Sequence, residues 1–270
     1  MLDDLPNFTN PPVVERALSV AFSPLEGLSI AHLAKFWSRV EKEFPRAHSQ
    51  PPYEMPIERL DGPPGLPSIE LRLETTIRPR MLFVTEDDQE LIQVQADWFA
   101  FNWRRPSGAS VEYSRYPTGR ERFETYFDKF LAFVEETQTG KIVPHQCEVT
   151  YINHVPSSLS ELDQLSQKVT LVNSPDLAAP ARSVEGVQYA MSMRLSDPNL
   201  GDFGRLHLQI QPGATSDGKS LYVITLTARG RPLGHGTEGV LGFFDLGRKA
   251  IVRNFVSFTT ESMHRVWGLS

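Results

Sequence analysis

The chain has 270 residues, 40% of them hydrophobic, and carries a formal net charge of −6 at pH 7. That is enough apolar material for one large packed domain or two small ones, and the acidic balance excludes general affinity for nucleic acid or an anionic membrane. The single cysteine, Cys147, excludes an intrachain disulfide; an acidic start and the lack of any apolar run near the roughly 18 residues that a span needs point to a cytoplasmic protein.

Residues 5–12, rich in proline and asparagine, read as an extended arm, because proline fixes φ and restrains the residue before it. A strand follows from Val13 to Phe22, closed by Ser23-Pro24. Ser29 then caps a helix whose apolar positions Ile30, Leu33, Ala34, Trp37, Val40 and Phe44 keep the 3.6 period as far as Pro45. Prolines and glycines between Pro51 and Pro67 predict an irregular excursion, after which Ile69 to Ile77 resumes strand character. Arg80 to Thr85 and Glu90 to Trp103 are predicted as a hairpin around the acidic turn 86–89. The second arm reads as one long strand, Ile92, Val94, Ala96, Trp98 and Ala100 on its core side and Gln93, Gln95, Asp97, Phe99, Phe101 and Trp103 on the other.

Thr118-Gly119-Arg120-Glu121 has the pattern of a capping box and opens a helix with Phe123, Tyr126, Phe127, Phe130, Leu131 and Val134 in one stripe. After Thr139-Gly140 comes a strand from Gln146 to Val155, then a short helix suggested by Leu159, Leu162, Leu165 and Val169, and a loop over 173–182. Three more strands are expected at Val184–Leu195, Gly204–Pro212 and Ser220–Arg229, and a last helix at roughly Phe243–Phe258. The fold class is therefore α+β: a strand-helix-three-strand-helix unit performed twice, as halves 1–140 and 141–270 of one compact body. The two halves form a curved antiparallel sheet with the helices packed on one face.

Signatures of catalysis are weak. Gly234-His235-Gly236-Thr237-Glu238-Gly239 imitates a dinucleotide loop but lacks the second parallel strand and the acid about 20 residues on, so a connecting loop explains it better. The seven histidines show no metal-ligand spacing, Cys147 reads as a packed thiol, and the acid pairs at 87–88 and 135–136 read as solvated charge. We expect neither metal nor cofactor. Arg104, Arg105, Arg115, Arg120 and Arg122 gather near the middle helix, but Glu112 and Glu121 dilute them, so nucleic acid is not the expected partner.

The face turned away from the predicted core is more informative. Read at period 2, it carries Gln93, Gln95 and Asp97 in the first half, and Gln188, Ser192, Arg194, His207, Gln209, Gln211, Thr225 and Thr227 in the second. Lysine and glutamate are nearly missing from it, unlike a face that only meets water. Amides, hydroxyls, a histidine and an arginine suit a surface that something covers.

The opening Leu5-Pro6-x-Phe8-x-Asn10-Pro11-Pro12-Val13-x-Glu15, the segment Leu91-Ile92-Gln93-Val94-Gln95 with Asn102-Trp103-Arg104, and the closing Asp245-x-Gly247-Arg248 with Ile251-Val252 and Phe255 carry a likeness. Over nearly its whole length the chain resembles a sporadically distributed family of uncharacterised bacterial proteins. The resemblance implies a bacterial, cytoplasmic unit of accessory or defence-linked role, with no assigned catalytic residues.

The expectation from sequence is thus a non-enzymatic module that binds a ligand or partner through its open sheet face, by Gln93, Gln95, Asn102, Arg104, Arg194, His207 and Gln209. A second copy of the chain, another protein or a small polar ligand would fit there. The alternative is an enzyme acting on a small or phosphorylated molecule, with the 230–242 glycine-rich segment as a lid and His207, His235 or Arg194 as acid, base or anion clamp.

Overall fold

A computed structural model describes residues 5–62, 80–106, 111–156, 165, 168–171 and 187–270. The predicted strand 69–77, nearly all of the 159–169 helix and the 173–182 loop lie outside the described residues.

Nine strands make one antiparallel sheet: β1 (Val13–Phe22), β2 (Arg46–Gln50), β3 (Arg80–Val84), β4 (Glu90–Gln95), β5 (Trp98–Arg104), β6 (Pro144–Pro156), β7 (Tyr189–Asp197), β8 (Gly201–Ala214) and β9 (Ser220–Gly230). Their order is β2-β3-β4-β5-β1-β6-β9-β8-β7, so the first strands of the two predicted halves, β1 and β6, lie side by side at the centre. Among the described residues four helices accompany the sheet: α1 (Ile30–Trp37), α2 (Tyr116–Thr137), α3 (Gly236–Phe258) and α4 (Glu261–Trp267). The long helices share one face, α2 packing on β5 and α3 on β6, β8 and β9. The predicted α+β architecture with a curved sheet is the observed one. No helix among the described residues is long and apolar enough to cross a membrane.

The core between sheet and helices is strongly aromatic. Phe99 meets Phe123, Phe127 and Phe130 of α2 with ring centroids 5.4–5.7 Å apart, and Phe123 touches Phe244 of α3 at 4.8 Å, which ties the two long helices together. Each fully buried phenylalanine contributes roughly 1.5–3 kcal/mol by removal of apolar surface from water.

Several boundaries differ from the sequence reading. Glu90–Trp103 is not one strand but two, joined by the turn Ala96-Asp97, with Gln95 opposite Trp98. The turn preserves alternation on each strand but restarts it, so Phe99, Phe101 and Trp103 face the helices beside Ile92 and Val94, while Trp98 and Ala100 join Gln93 and Gln95 on the open side. The three aromatics assigned to the open face are therefore core residues, at most 1% exposed. The predicted capping box does not form at the helix start: α2 begins at Tyr116, with Arg115 at the N-cap and Pro117 inside the first turn. Proline there is pre-organised for a helix and removes an N–H that would have no intrahelical partner. The Ser29 helix ends at Trp37, although Val40 and Phe44 beyond it stay buried. β2 and α4 have no counterpart in the sequence reading.

α3 starts seven residues earlier than expected, so 236–242 is helix rather than a lid. That start requires a close approach at Gly230, which lies opposite Gly204 across β8 and β9. A Cβ there would meet Phe203 O at 2.1 Å, Gly204 Cα at 2.6 Å and the Phe243 ring of α3 at 2.8 Å. Two of those neighbours are backbone and cannot swing aside. We therefore expect Gly230→Ala to lower the urea unfolding free energy by about 1–3 kcal/mol with an unchanged m-value; an unshifted midpoint would show that the helix-to-sheet approach is not this tight.

Candidate functional site: the open face and its strap

All seven residues predicted to bind lie on the open side of the sheet. They do not converge on one point. β4 and β8 are five strand spacings apart, about 24 Å at roughly 4.8 Å per strand, so Gln93 and His207 cannot share one small ligand.

At the β1–β5–β4 end the amides form a relay. Gln93 Nε2 donates to Asn102 Oδ1 at 2.9 Å, and Asn102 Nδ2 donates to Glu15 Oε1 at 2.6 Å. Burial pushes the Glu15 carboxyl above its ordinary value, against the hydrogen bond from Asn102 and the charge of Arg104. Arg104 itself is spent on the β3–β4 turn, donating from Nε to Asp88 O at 2.8 Å and from Nη2 to Asp88 Oδ1 at 2.7 Å. Three more of the arginine group are likewise engaged: Arg120 with Asp245 and Glu124, Arg122 with Glu90 and Glu43, and Arg115 with Asn7 and the Phe8 carbonyl.

What lies across the middle of the face is the chain itself. Residues 51–62 form a strap that crosses the strands. Gln95 holds Tyr53 at both ends, accepting from its N–H at 2.8 Å and donating to its carbonyl at 3.1 Å, while the Tyr53 ring packs on Trp98 at 5.0 Å. Gln146 repeats the arrangement, accepting from Glu58 N–H at 2.7 Å and donating to Pro56 O at 2.9 Å. A primary amide thus imitates a neighbouring strand, offering one donor and one acceptor to an extended backbone.

The strap ends in a buried ionic cluster over β6, β9 and β8. Glu58 pairs with Arg205, both at most 4% exposed, accepts from His207 Nε2 at 2.7 Å, and has Arg229 at 4.0 Å. Arg205 also donates to the carbonyls of Arg59 and Gly62. Arg229 in turn donates to Glu148 at 2.6 Å. Burial pushes the Glu58 carboxyl up, but the hydrogen bonds and charges of His207 and Arg205 outweigh it, and the group sits below the usual carboxylate range. Arg194 stands apart in an exposed pair with Asp202 at 2.6 Å, and Gln209 is exposed.

The sequence reading missed Glu58, Gln146, Glu148, Arg205 and Arg229. The last four continue the same period-2 phase on β6, β8 and β9, so the signal was present in the strand pattern; Glu58 lies in a proline-rich excursion where no period applies. The expected scarcity of charge on this face is accordingly corrected: the charges are there, turned inward on the strap.

His207 also has Ser192 Oγ within 2.8 Å of Nδ1. With the proton on Nε2, the ring donates to Glu58 and accepts from Ser192, the connectivity of an acyl-transfer relay. His235 cannot join it, because it is the N-cap residue of α3, on the opposite side of the sheet. Burial pushes the Cys147 thiol up, away from nucleophilic use.

The depressed Glu58 sets a pH dependence. Because protonation is harder in the folded protein than in the unfolded chain, the strap's ionic contribution is complete above the ordinary carboxylate value and is lost as pH falls through the folded one. Hydrogen exchange at the Tyr53 and Glu58 amides, corrected for intrinsic rates, reads this directly. We expect their protection to fall below about pH 4. In Glu58→Gln it should be lower at neutral pH, by on the order of 1–3 kcal/mol, and lack the acid limb. An unchanged acid limb in that variant would assign the effect to another group.

No protein-family model and no curated protein matches the chain. Among solved structures, the di-domain ARO/CYC StfQ from the steffimycin biosynthetic pathway aligns at 12% identity over 90% of this chain and 93% of that one, with a TM-score of 0.17, a value too low to carry a likeness of fold.

Proposed function

We propose that the protein is a non-catalytic binding module and that the open face of its sheet reads an extended, acidic polypeptide segment. The carrying observation is the way Gln95 and Gln146 bracket the strap backbone while Glu58 is received by Arg205, His207 and Arg229. Those contacts are made to features any extended acidic segment offers: backbone donor and acceptor groups at two points and one carboxylate beyond them. The strap is then the resident occupant, and a partner segment competes for its place. A buried ion pair is weak evidence for stability, since apolar replacement is often as stable, but it discriminates sharply between a segment that carries the carboxylate and one that does not.

A fluorescein-labelled peptide of residues 51–62 tests this with full-length protein. Glu58→Ala, which loosens the strap, should bind the peptide at least tenfold more tightly than the unmodified chain, about 1.4 kcal/mol. Adding Arg205→Met to that variant should abolish the gain. If exchange data show the strap released in Glu58→Ala and the peptide still does not bind, the reading fails.

The second reading is the enzymatic one, and Ser192-His207-Glu58 is the observation that favours it. Against it, Ser192 is exposed on the edge strand β7 and Arg205 already neutralises the glutamate. An active relay would label Ser192 with a fluorophosphonate probe at a rate that Ser192→Ala abolishes. The binding-module reading expects no labelling above that variant.

A further inference from the structure

On the helix side of the sheet, the 5–12 arm, the first turn of α2, β6 and the C-terminal half of α3 line a half-open cavity of about 500 Å³. That volume falls in the range of small-molecule sites. Phe8, Ile251 and Phe255 give it an apolar wall, Tyr116 and Tyr151 an aromatic one, and Arg248 a cation; among the described residues no Asp or Glu lines it.

Arg248 lacks a counter-charge. Its guanidinium stacks 4.7 Å from the Tyr116 ring centroid. Asp245, three residues earlier on α3, is already taken by the Tyr116 hydroxyl at 2.7 Å and by Arg120 at 3.1 Å. Among the described residues no carboxylate pairs with Arg248.

Arg16 is the more telling group. It lies behind the cavity wall, its guanidinium 5.8 Å from the ring of Tyr113, whose hydroxyl is 3.4 Å from that of Tyr151. It is fully buried. Nη1 donates to Ser114 O at 2.7 Å, but among the described residues Nε and Nη2 have no hydrogen-bond partner and no carboxylate reaches the group. The guanidinium sits beneath the first turn of α2, where a Cβ on Gly119 would fall 1.9 Å from Nη2. That end of a helix carries positive partial charge, and the first turn of α2 has no acidic residue to offset it. A cation has been buried at the wrong end of a helix, with a glycine making room for it. Burial and the neighbouring Tyr113 hold the Tyr151 hydroxyl well above its ordinary value, while the charges of Arg16 and Arg248 pull the other way.

A buried charge without a partner destabilises a protein, and local rules are broken in this way where a site is built. Nothing in the described chain supplies the missing negative charge, and the cavity beside it has room for a molecule that does. We propose that this cavity binds an amphipathic organic anion, its carboxylate, sulfonate or phosphate head toward Arg248 and the first turn of α2 and its aryl or acyl body along Phe8, Ile251 and Phe255. The site is separate from the strap face and stands whether or not that reading holds.

Matched probes on the full-length protein test it: 2-naphthoate against neutral 2-naphthamide, and decanoate against decanol, by calorimetry and thermal shift at neutral pH. At least one anion should bind tenfold or more tightly than its neutral partner. Arg248→Gln should bring that ratio close to one, and Val252→Trp, which fills the cavity, should abolish binding of both. Arg16→Met should melt at or above the temperature of the unmodified protein without ligand and lose most of the anion's thermal shift. Equal binding of neutral and anionic partners overturns the assignment of charge. Anion binding that survives Val252→Trp, or no binding by any of the four probes, overturns the site. A marked loss of ligand-free stability in Arg16→Met would show that Arg16 is satisfied where it lies.

Discussion

Strand parity governs this molecule. Across eight antiparallel pairings the side-chain period of two is kept except at the register shifts Val13/Glu15, Ala21/Phe22 and Leu195/Ser196, so nearly every strand residue is committed to one of two sides. Most of the aromatic groups go to the helices, and most of the amides and ions of the strands go to the other face, Trp98 and Arg16 being exceptions in either direction. A shift of one residue in β5 would put Phe99, Phe101 and Trp103 into the strap and Asn102 into the phenylalanine core, reversing both environments at once. The Ala96-Asp97 turn is the point at which this is decided, because it returns the chain to the same face pattern after a reversal of direction. Both the covered helical core and the polar reading face exist only because that register holds.

That turn also shows where the sequence stopped being legible. Hairpin turns announce themselves when they need left-handed residues such as Asn-Gly, but Ala96 and Asp97 are not among the residues with positive φ, and nothing in the composition marks a reversal. Asp88, which does adopt φ 62°, sits in the acidic turn that was foreseen. The same distinction separates the two long helices. The Phe123 to Val134 stripe of α2 was plain from its period, whereas the first turn of α3 is written in glycines that suggested a loop: Gly236 takes φ 59° and Gly239 lets the Gly234 backbone approach. Period survives folding because burial enforces it; boundaries are set by contacts with distant residues, which a local pattern does not contain.

The open face was legible as a face and not as a site. Gln93, Gln95, Asn102, Arg104, Arg194, His207 and Gln209 do share it, since phase alone decides that. Their partners could not be read, because Asn102 answers to Glu15, Arg104 to Asp88 and His207 to Glu58, all of them distant in sequence or in another element. The inference that such a surface is covered was sound in its physics: buried amides and cations need partners. The proline-rich excursion that carried no periodic signal supplies the partners of Gln95, Gln146, Arg205 and His207, through the Glu58 carboxylate and through backbone groups, which have no sequence signature at all.

The two faces therefore solve the same problem in opposite ways. On the open side, Arg205 and Arg229 are buried, or nearly so, and each is matched, to Glu58 and Glu148, by groups of the chain itself. On the helix side, Arg16 is buried more completely than either and is matched by one carbonyl. A fold able to place two glutamates under two arginines on one face is not short of carboxylates, and Asp245 lies on the very helix that borders the cavity. The difference is one of placement: where the chain closes on itself the charges are neutralised, and where it leaves a cavity the cation is left uncompensated beside it. A charge in that position acts on whatever enters more strongly than one already paired, because no carboxylate among the described residues competes for it.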